Sequence, residues 1–383
     1  MKVGIVVPYS WSFWGGVQEH ADHQARALVE QGVDVRLIAG HDPPGRLTNV
    51  LHPRRGRDTP APPYFVPVGR SVIVPANGSL PNIVISPTAM LRLKRLFARE
   101  RFDLLHLHEP ITPLIAAYAL ANAPCPLVAT FHAAGELRWY PGAMRMFGFL
   151  MERLDHKIAV SEPARRVAER FVGGPVEVIP NGVALPPDPD PGGRERKVVF
   201  VGRHEPRKGL EVLLRAWPEV AARTGARLRV VGADPLSVRW LLRRKGLRGE
   251  ALDLLGSVTE EDLTRELREA SALAAPSLGS ESFGMVLTRA FACATPVVAS
   301  DIEGYSEVVE PGTGVLVPPG DAAGLATALI ELLDDEPRRR ALGAAARQVA
   351  EERYAWDTIV GRLLEIYGAV TGAGAPAREI ALR

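Results

Sequence analysis

The chain has 383 residues, with 46 basic and 44 acidic side chains and a formal charge of +2. That length exceeds one ordinary domain and suits two, each with its own core. With 46% hydrophobic and 23% charged residues, wholesale disorder is excluded, and the near-zero net charge excludes a histone-like polyanion binder while leaving room for a local basic patch.

The first ten residues, MKVGIVVPYS, hold too short an apolar run for a signal peptide before Pro8. No apolar stretch of the sequence is long enough to span a bilayer. The expectation is a cytoplasmic protein whose membrane contact, if any, is peripheral on the inner face of the cell membrane. Residues 2–7 read as a buried strand, 19–31 as a helix ending near Gly32, and 33–39 as a second strand. Residues 61–87 are Pro-rich and read as loop. Residues 88–101 read as an amphipathic helix. Met90, Leu93 and Phe97 share one face; Arg92, Arg95 and Arg99 lie opposite, with Lys94 and Arg101 flanking. Strands follow at 103–108, 127–132, 157–160 and 176–179. Fully apolar strands alternating with helices imply a parallel sheet covered on both faces.

Residues 181–196 are dense in Pro and Gly and read as an interdomain linker. The alternation then restarts: strands at 197–201 and 228–231, a helix at 209–224, and a later strand at 296–299. The domains expected are therefore 1–180 and 197–354. Residues 355–370 form a last helix, with Trp356, Ile359, Leu363, Ile366 and Tyr367 on one side, that can return to the first domain. Two doubly wound α/β domains would face a cleft at the carboxyl ends of their strands, where ligands normally bind. Cys125 and Cys293 cannot build a disulfide framework or a four-cysteine zinc site.

Four segments could carry chemistry. Between the first strand and helix, Gly15 and Gly16 let the backbone approach a ligand, and the helix start offers N–H groups to an anion; a glycine pair there is as often a plain turn. No GxGxxG is present, and His41-Asp42 is a weak ribose partner. In VGRHEPRKG, Arg203 and Lys208 suit a diphosphate leaving group, against the alternative of a solvated basic loop. In SLGSESFGMVLTR, Glu281 can accept from sugar hydroxyls, and the helix starting near Met285 can hold phosphate oxygens. His132, at a strand end, could bind a hydroxyl, act in proton transfer, or only cap a loop.

Together these residues carry a resemblance. PYSxxxxGGVQ, FDLLHLHEP, ATFH, AVSE, VIPNGV, VGRHEPRKG, LLGSV, SESFG and TPVVAS resemble the family 4 retaining glycosyltransferases of the GT-B fold over nearly the whole chain. Within them the pattern is most similar to the bacterial phosphatidylinositol mannosyltransferase group. The resemblance implies two Rossmann-like domains and a hexose, mannose or glucose, moved from a GDP- or UDP-linked donor to a membrane lipid such as phosphatidylinositol. It implies retention without a protein nucleophile, the leaving phosphate taking the acceptor proton, and no cofactor or metal. It places Gly16 over the donor diphosphate, and Arg203, Lys208 and the amides of Met285, Val286 and Leu287 on the phosphates. Glu281, Ser282, Phe283 and Gly284 fall around the sugar, the Val258 backbone at the base, and His132 near the C6 hydroxyl. Tyr9 and Gln18 match acceptor positions, and Arg92, Lys94, Arg95 and Arg99 a membrane-surface helix. No nucleic-acid partner is implied. Asp188 to Asp190, an Asp-x-Asp in the linker, reads as a turn, not a metal site.

Three positions depart from the family. Eight residues after Glu281, where a second Glu usually binds ribose, stands Arg289. A cation cannot accept a hydrogen bond, so altered donor binding or a catalytically impaired relative enters as an alternative. Ala184 ends the NGV motif, where Asp is common, and Ile111 follows HEP, where the phosphatidylinositol group has Asn; this weighs against inositol phosphate as acceptor more than against lipid in general, and a soluble small-molecule or glycan acceptor stands as a separate alternative.

Overall fold

The computed structural model describes residues 1–13, 15–52, 60–74, 81–134, 148–189 and 193–372. The chain divides into two compact units. The first joins Met1–Gly182 to the chain from Trp356 onward; the second is Val183–Ala355.

The first unit runs β1 (Lys2–Ser10), α1 (Gly16–Glu30), β2 (Asp34–Gly40), α2 (Arg46–Leu51), β3 (Phe65–Gly69), β4 (Ser71–Ile73), β5 (Asn82–Val84), α3 (Pro87–Glu100), β6 (Leu104–His108), α4 (Ile115–Asn122), β7 (Leu127–Phe131), β8 (His156–Ala159), α5 (Glu162–Glu169) and β9 (Glu177–Val178). Seven strands pair in the order β3-β2-β1-β6-β7-β8-β9. All these pairings are parallel, with Val3 beside both Val35 and Leu104. Val3 to Val7 of β1 are buried throughout, as a central strand covered on both faces requires.

The Pro-rich stretch at 61–87 is not all loop. It holds β3, β4 and β5, with β5 antiparallel to both β4 and β1. Proline hid these strands. Pro67 sits exposed in β3, the end strand of the sheet, where a missing N–H costs nothing.

The second unit runs β10 (Glu195–Val201), α6 (Leu210–Thr224), β11 (Arg227–Val231), α7 (Pro235–Lys245), β12 (Leu252–Gly256), α8 (Glu260–Glu269), β13 (Ala270–Ala275), α9 (Met285–Ala292), β14 (Val297–Ser300), α10 (Glu303–Ser306), β15 (Val315–Val317), α11 (Ala322–Asp334) and α12 (Glu336–Val349). Its sheet order is β12-β11-β10-β13-β14-β15, parallel throughout. Its core packs Trp217, Leu213 and Leu329 on Val198, Phe200, Leu228 and Val230, alternate strand residues that share one sheet face.

Within the segment expected as a linker, 181–196, the described residues at either end are built into the fold. Val183 is buried and its N–H donates to the Tyr354 carbonyl (2.7 Å). Arg194 donates to the carbonyls of Arg268 (2.7 Å), Cys293 (2.8 Å) and Ala294 (3.0 Å) and to Thr295 Oγ1 (2.9 Å), and β10 already starts at Glu195. A guanidinium held by several carbonyls fixes the chain at Arg194.

A last helix, α13 (Trp356–Thr371), rejoins the first unit. Its buried residues Ile359, Val360, Leu363, Ile366 and Tyr367 enter the core formed by Val3, Ile5, Leu28 and Val35. The Tyr367 hydroxyl hydrogen-bonds His106 Nδ1 (2.6 Å) and accepts from Gln24 (3.1 Å). In each unit the strand order reverses once, beside β1 in the first and beside β10 in the second. Strand ends at such reversals are where open α/β sheets bind ligands.

Candidate functional site

In the second unit, β10 ends at Val201 and a short 3-10 turn, Pro206–Lys208, follows. Lys208 Nζ lies 2.7 Å from Glu281 Oε1, and Arg207 pairs with the same carboxylate. Glu205 holds Arg207 at 2.9 Å and Arg203 at 2.8 Å. Three cations thus share two carboxylates at the carboxyl end of β10, and half-burial leaves them only partly screened. Two glycines bring the loops together. Gly209 has φ +68, and a Cβ there would overlap the Pro276 carbonyl; a Cβ at Gly304 would overlap the Glu281 carbonyl. Ser277 Oγ and the buried Tyr305 hydroxyl hydrogen-bond at 2.8 Å beneath the Glu281 loop.

Helix α9 begins directly after this loop. Gly284 caps it without a side-chain hydrogen bond, so the first-turn amides of Met285 and Val286 and the helix dipole are suited to an anion. Leu287 differs from the expectation. Its amide already donates to the Gly284 carbonyl (2.8 Å) and its side chain is fully buried. Phe283 is likewise buried, its ring 5.5 Å from that of Tyr354, so its side chain serves packing and only its backbone can meet a ligand. Ser282 is half-buried in the same loop, and Val258 is half-buried between β12 and the Thr259 cap of α8. Arg289 reaches Glu260 Oε1 at 3.2 Å. The cation that stands where a carboxylate was expected therefore has a carboxylate, from the first turn of α8, beside it.

In the first unit, β1 leads through Tyr9 to Gly15, the extended N-cap of α1. Gln18 is buried and its amide fills the space over Gly15. One turn on lies His20, and a histidine cluster gathers there. His108 Nδ1 is 2.9 Å from His132 Nε2. The His20 ring lies 5.5 Å from that of His108, 5.2 Å from His132 and 5.3 Å from Trp356. His106 stacks on His108 at 4.8 Å and hydrogen-bonds Thr130 (2.6 Å). Burial, reinforced by the neighbouring rings, pushes His108 and His132 well below the usual imidazole range; burial takes His20 and His106 down to about 3. These imidazoles are neutral at pH 7. His20 Nδ1 and His108 Nε2 are buried without a hydrogen-bond partner among the described residues. Beside them, burial raises Glu109 to about 7 against the backbone N–H groups of His132 and Ala133, the former at 2.7 Å. Neutral rings each offer one donor and one acceptor, which suits hydroxyl groups.

Of these four histidines, the sequence alone marks only His132. His106 and His108 alternate on β6 and so share a face, a signal available in HLH; His20 joins them only through the packing of α1. Ligand nitrogens of His20, His108 and His132 lie within 4.8 Å of one another, a set that could hold a divalent cation. Asp188 pairs with Arg268 (2.9 Å), and Asp190 lies outside the described residues. Asp42 is no ribose partner. Its carboxylate accepts from Ser10 Oγ (2.7 Å) and Ser71 Oγ (2.6 Å) and ties β1 to β4. On α3, Leu93, Leu96 and Phe97 are buried while Arg92, Lys94, Arg95 and Arg99 are exposed; Arg99 pairs with Glu100 at 2.8 Å.

Residues 14–185 match the family described as Glycosyltransferase Family 4, and residues 195–335 that described as Glycosyl transferases group 1. The phosphatidyl-myo-inositol mannosyltransferase of Mycobacterium leprae is 36% identical over 388 residues, 98% of each chain. The chain belongs to glycosyltransferase family 4. The enzyme of the same name from Propionibacterium freudenreichii is 35% identical over 96% of this chain and 94% of its own. Among solved structures, sucrose-phosphate synthase from Thermosynechococcus elongatus superposes with a TM-score of 0.73 at 21% identity, covering 97% of this glycosyltransferase and all of that chain. HepE from Anabaena, in complex with UDP-glucose, gives 0.71 at 19%, covering 96% and all. Both likenesses bear on the fold, which is GT-B.

Proposed function

We propose that this glycosyltransferase moves a mannose- or glucose-type hexose from a GDP- or UDP-linked donor to a membrane lipid such as phosphatidylinositol, with retention and without a metal. The observation that carries the donor half is the Lys208–Glu281 pair with Arg203 beside it. As the glycosidic bond to the diphosphate breaks, charge grows on the leaving phosphate. Fixed cations already in place stabilise that charge without reorganising. Lys208 and Arg203 supply it, and the Met285 and Val286 amides add helix-terminal N–H groups. Glu281, an acceptor, orients sugar hydroxyls, and neutral His132 holds the C6 hydroxyl. The acceptor oxygen attacks the anomeric carbon on the face that the phosphate leaves. Its proton passes to a leaving phosphate oxygen, which spares a protein base, and attack on the leaving-group face retains configuration without a protein nucleophile.

The lipid half is supported by the relatives' names and by the exposed cations of α3. Tyr9 and Gln18, at the end of β1 and the start of α1, are assigned to the acceptor. A soluble acceptor is favoured by a separate observation: a D-inositol 3-phosphate glycosyltransferase of Kineococcus radiotolerans is 29% identical over 92% of this chain. The impaired-enzyme reading loses ground because Arg289 is matched by Glu260, which supports a re-specialised site.

The test is transfer of labelled hexose from a panel of GDP- and UDP-sugars to phosphatidylinositol vesicles mixed with free inositol phosphate, with and without EDTA. Label in the lipid fraction, unaffected by EDTA and α-linked from an α-linked donor, is the expected outcome. Label only in water-soluble inositol phosphate selects the second reading. No turnover with any donor overturns both.

A further inference from the structure

Helix α7 of the second unit has an outer face that no part of the reaction uses. Asp234 caps its start (Ser237 N–H to Oδ2, 2.8 Å) and Gly246 its end, while Val238 and Leu241 anchor the inner face. The outer face carries Leu236, 72% exposed, and Trp240, 56% exposed. They are four residues apart and so lie on one side of the helix. Arg239, Arg243 and Arg244 surround them, all exposed, with the Arg244 guanidinium 4.7 Å over the Trp240 ring. Residues 235–249 hold five cations and no acid. Lys245 and Arg248 are paired, with Glu211 (3.1 Å) and Glu250 (3.7 Å), whereas Arg239, Arg243 and Arg244 form no ion pair among the described residues. Arg239 also lines an open hollow of about 440 Å³ beside β12.

An exposed tryptophan and leucine would ordinarily be withdrawn from water. Indole prefers the boundary between headgroups and acyl chains, and a basic helix face is drawn to anionic lipid. From this juxtaposition of Leu236 and Trp240 with three arginines that form no ion pair among the described residues, we propose that α7 docks the second unit on an anionic membrane surface. The occupant is a lipid bilayer. Its chemistry matches both halves of the face: negative headgroups for the arginines, and an apolar boundary for the two large side chains. This contact is separate from α3, and it rests on the membrane half of the proposed function, not on the donor chemistry.

The experiment is vesicle sedimentation of the full chain, without donor, on phosphatidylcholine alone and on phosphatidylcholine with 30% phosphatidylglycerol, a composition of ~30% anionic lipid that sets a negative surface potential. Each arginine near such a surface is worth roughly fivefold in partitioning, so R239Q/R243Q/R244Q should bind roughly a hundredfold more weakly with α3 intact. L236S/W240S should lose a comparable factor at any salt concentration, while the arginine effect shrinks as salt rises. Brominated lipid should quench the wild type more than W240F. Unchanged thermal melting of these surface variants excludes misfolding. Wild-type binding by both multiple variants overturns the proposal. So does binding to heparin or single-stranded DNA with the same α7 dependence but none to vesicles. Transfer to a detergent-dispersed acceptor is the separate readout: it should persist in the α7 variants, and its absence in the wild type would count against the proposed function and leave the docking result standing.

Discussion

The two units share a sheet plan and differ in what they place at its reversal. Beside β1 gather neutral, buried rings, His106, His108 and His132 from the strands and His20 from α1, with Glu109 held towards its protonated form. Beside β10 they end in full charges: Arg203, Arg207 and Lys208 against Glu205 and Glu281. One fold thus supplies two kinds of surface, one suited to hydroxyls and one to a diphosphate. The difference lies in burial. The rings are mostly buried and shed their charge, whereas the loop cations are half-exposed and cross-paired.

The sharpest way to break the contrast is to remove the charged half. Lys208→Met should lower transfer by about a hundred- to a thousandfold, the usual size of losing one preorganised group that stabilises developing charge, with vesicle binding unchanged. Measured turnover within tenfold of the wild type would mean that the loop is only a salt-bridged turn. Next comes the neutral half. His132→Ala should cost about ten- to a hundredfold in kcat, whereas Lys208→Met should also weaken nucleotide binding in a thermal-shift titration.

Acidification tests the neutrality itself. His20 and His106 have folded values of about 3 against an ordinary 6.5. Below 6.5 the unfolded chain therefore binds protons that the folded chain refuses, and stability falls with pH, by up to ~1.4 kcal/mol per pH unit for each such ring. Glu109 opposes this between 4.5 and about 7, where the folded form keeps its proton longer. The histidines outnumber it, so Tm should drop between pH 7 and pH 5. His20→Asn should make that acid limb shallower; a limb of equal steepness would show that His20 does not contribute to it.

Smaller effects concern geometry and pairing. Gly304→Ala drives a methyl into the Glu281 carbonyl, and overpacking of this kind costs roughly 1–3 kcal/mol; a urea melt should show it together with weaker donor binding. Arg289→Glu sets two carboxylates together at Glu260. Nucleotide affinity should fall a few-fold, on the scale of about 0.5–1 kcal/mol for a partly exposed pair, and Glu260→Arg in the same chain should recover part of it. A gain in affinity from Arg289→Glu alone would favour a degenerate ribose site.

Much of this organisation was legible in the residues. Strands such as β1 and β10 announce themselves by unbroken apolar runs, and α3 and α13 by their stripes. The loops carrying Lys208 and Glu281 were marked by glycine and charge. Other features depend on partners far away in the chain. Strands β3 to β5 were masked by proline, whose cost vanishes at a sheet edge. The rigidity of Arg194 depends on carbonyls roughly 70–100 residues later, and the Arg289–Glu260 pair on a second helix. The four rings meet only once β6, β7 and α1 have packed.

Helix α13 has one further consequence. The first unit is interrupted by the whole of the second, and its core waits for Ile359, Leu363 and Tyr367. During synthesis on the ribosome, the second unit emerges entire before the first can be completed. A chain released at Ala355 would therefore lack the phenol that holds His106. The ring cluster is completed only in a polypeptide translated through α13.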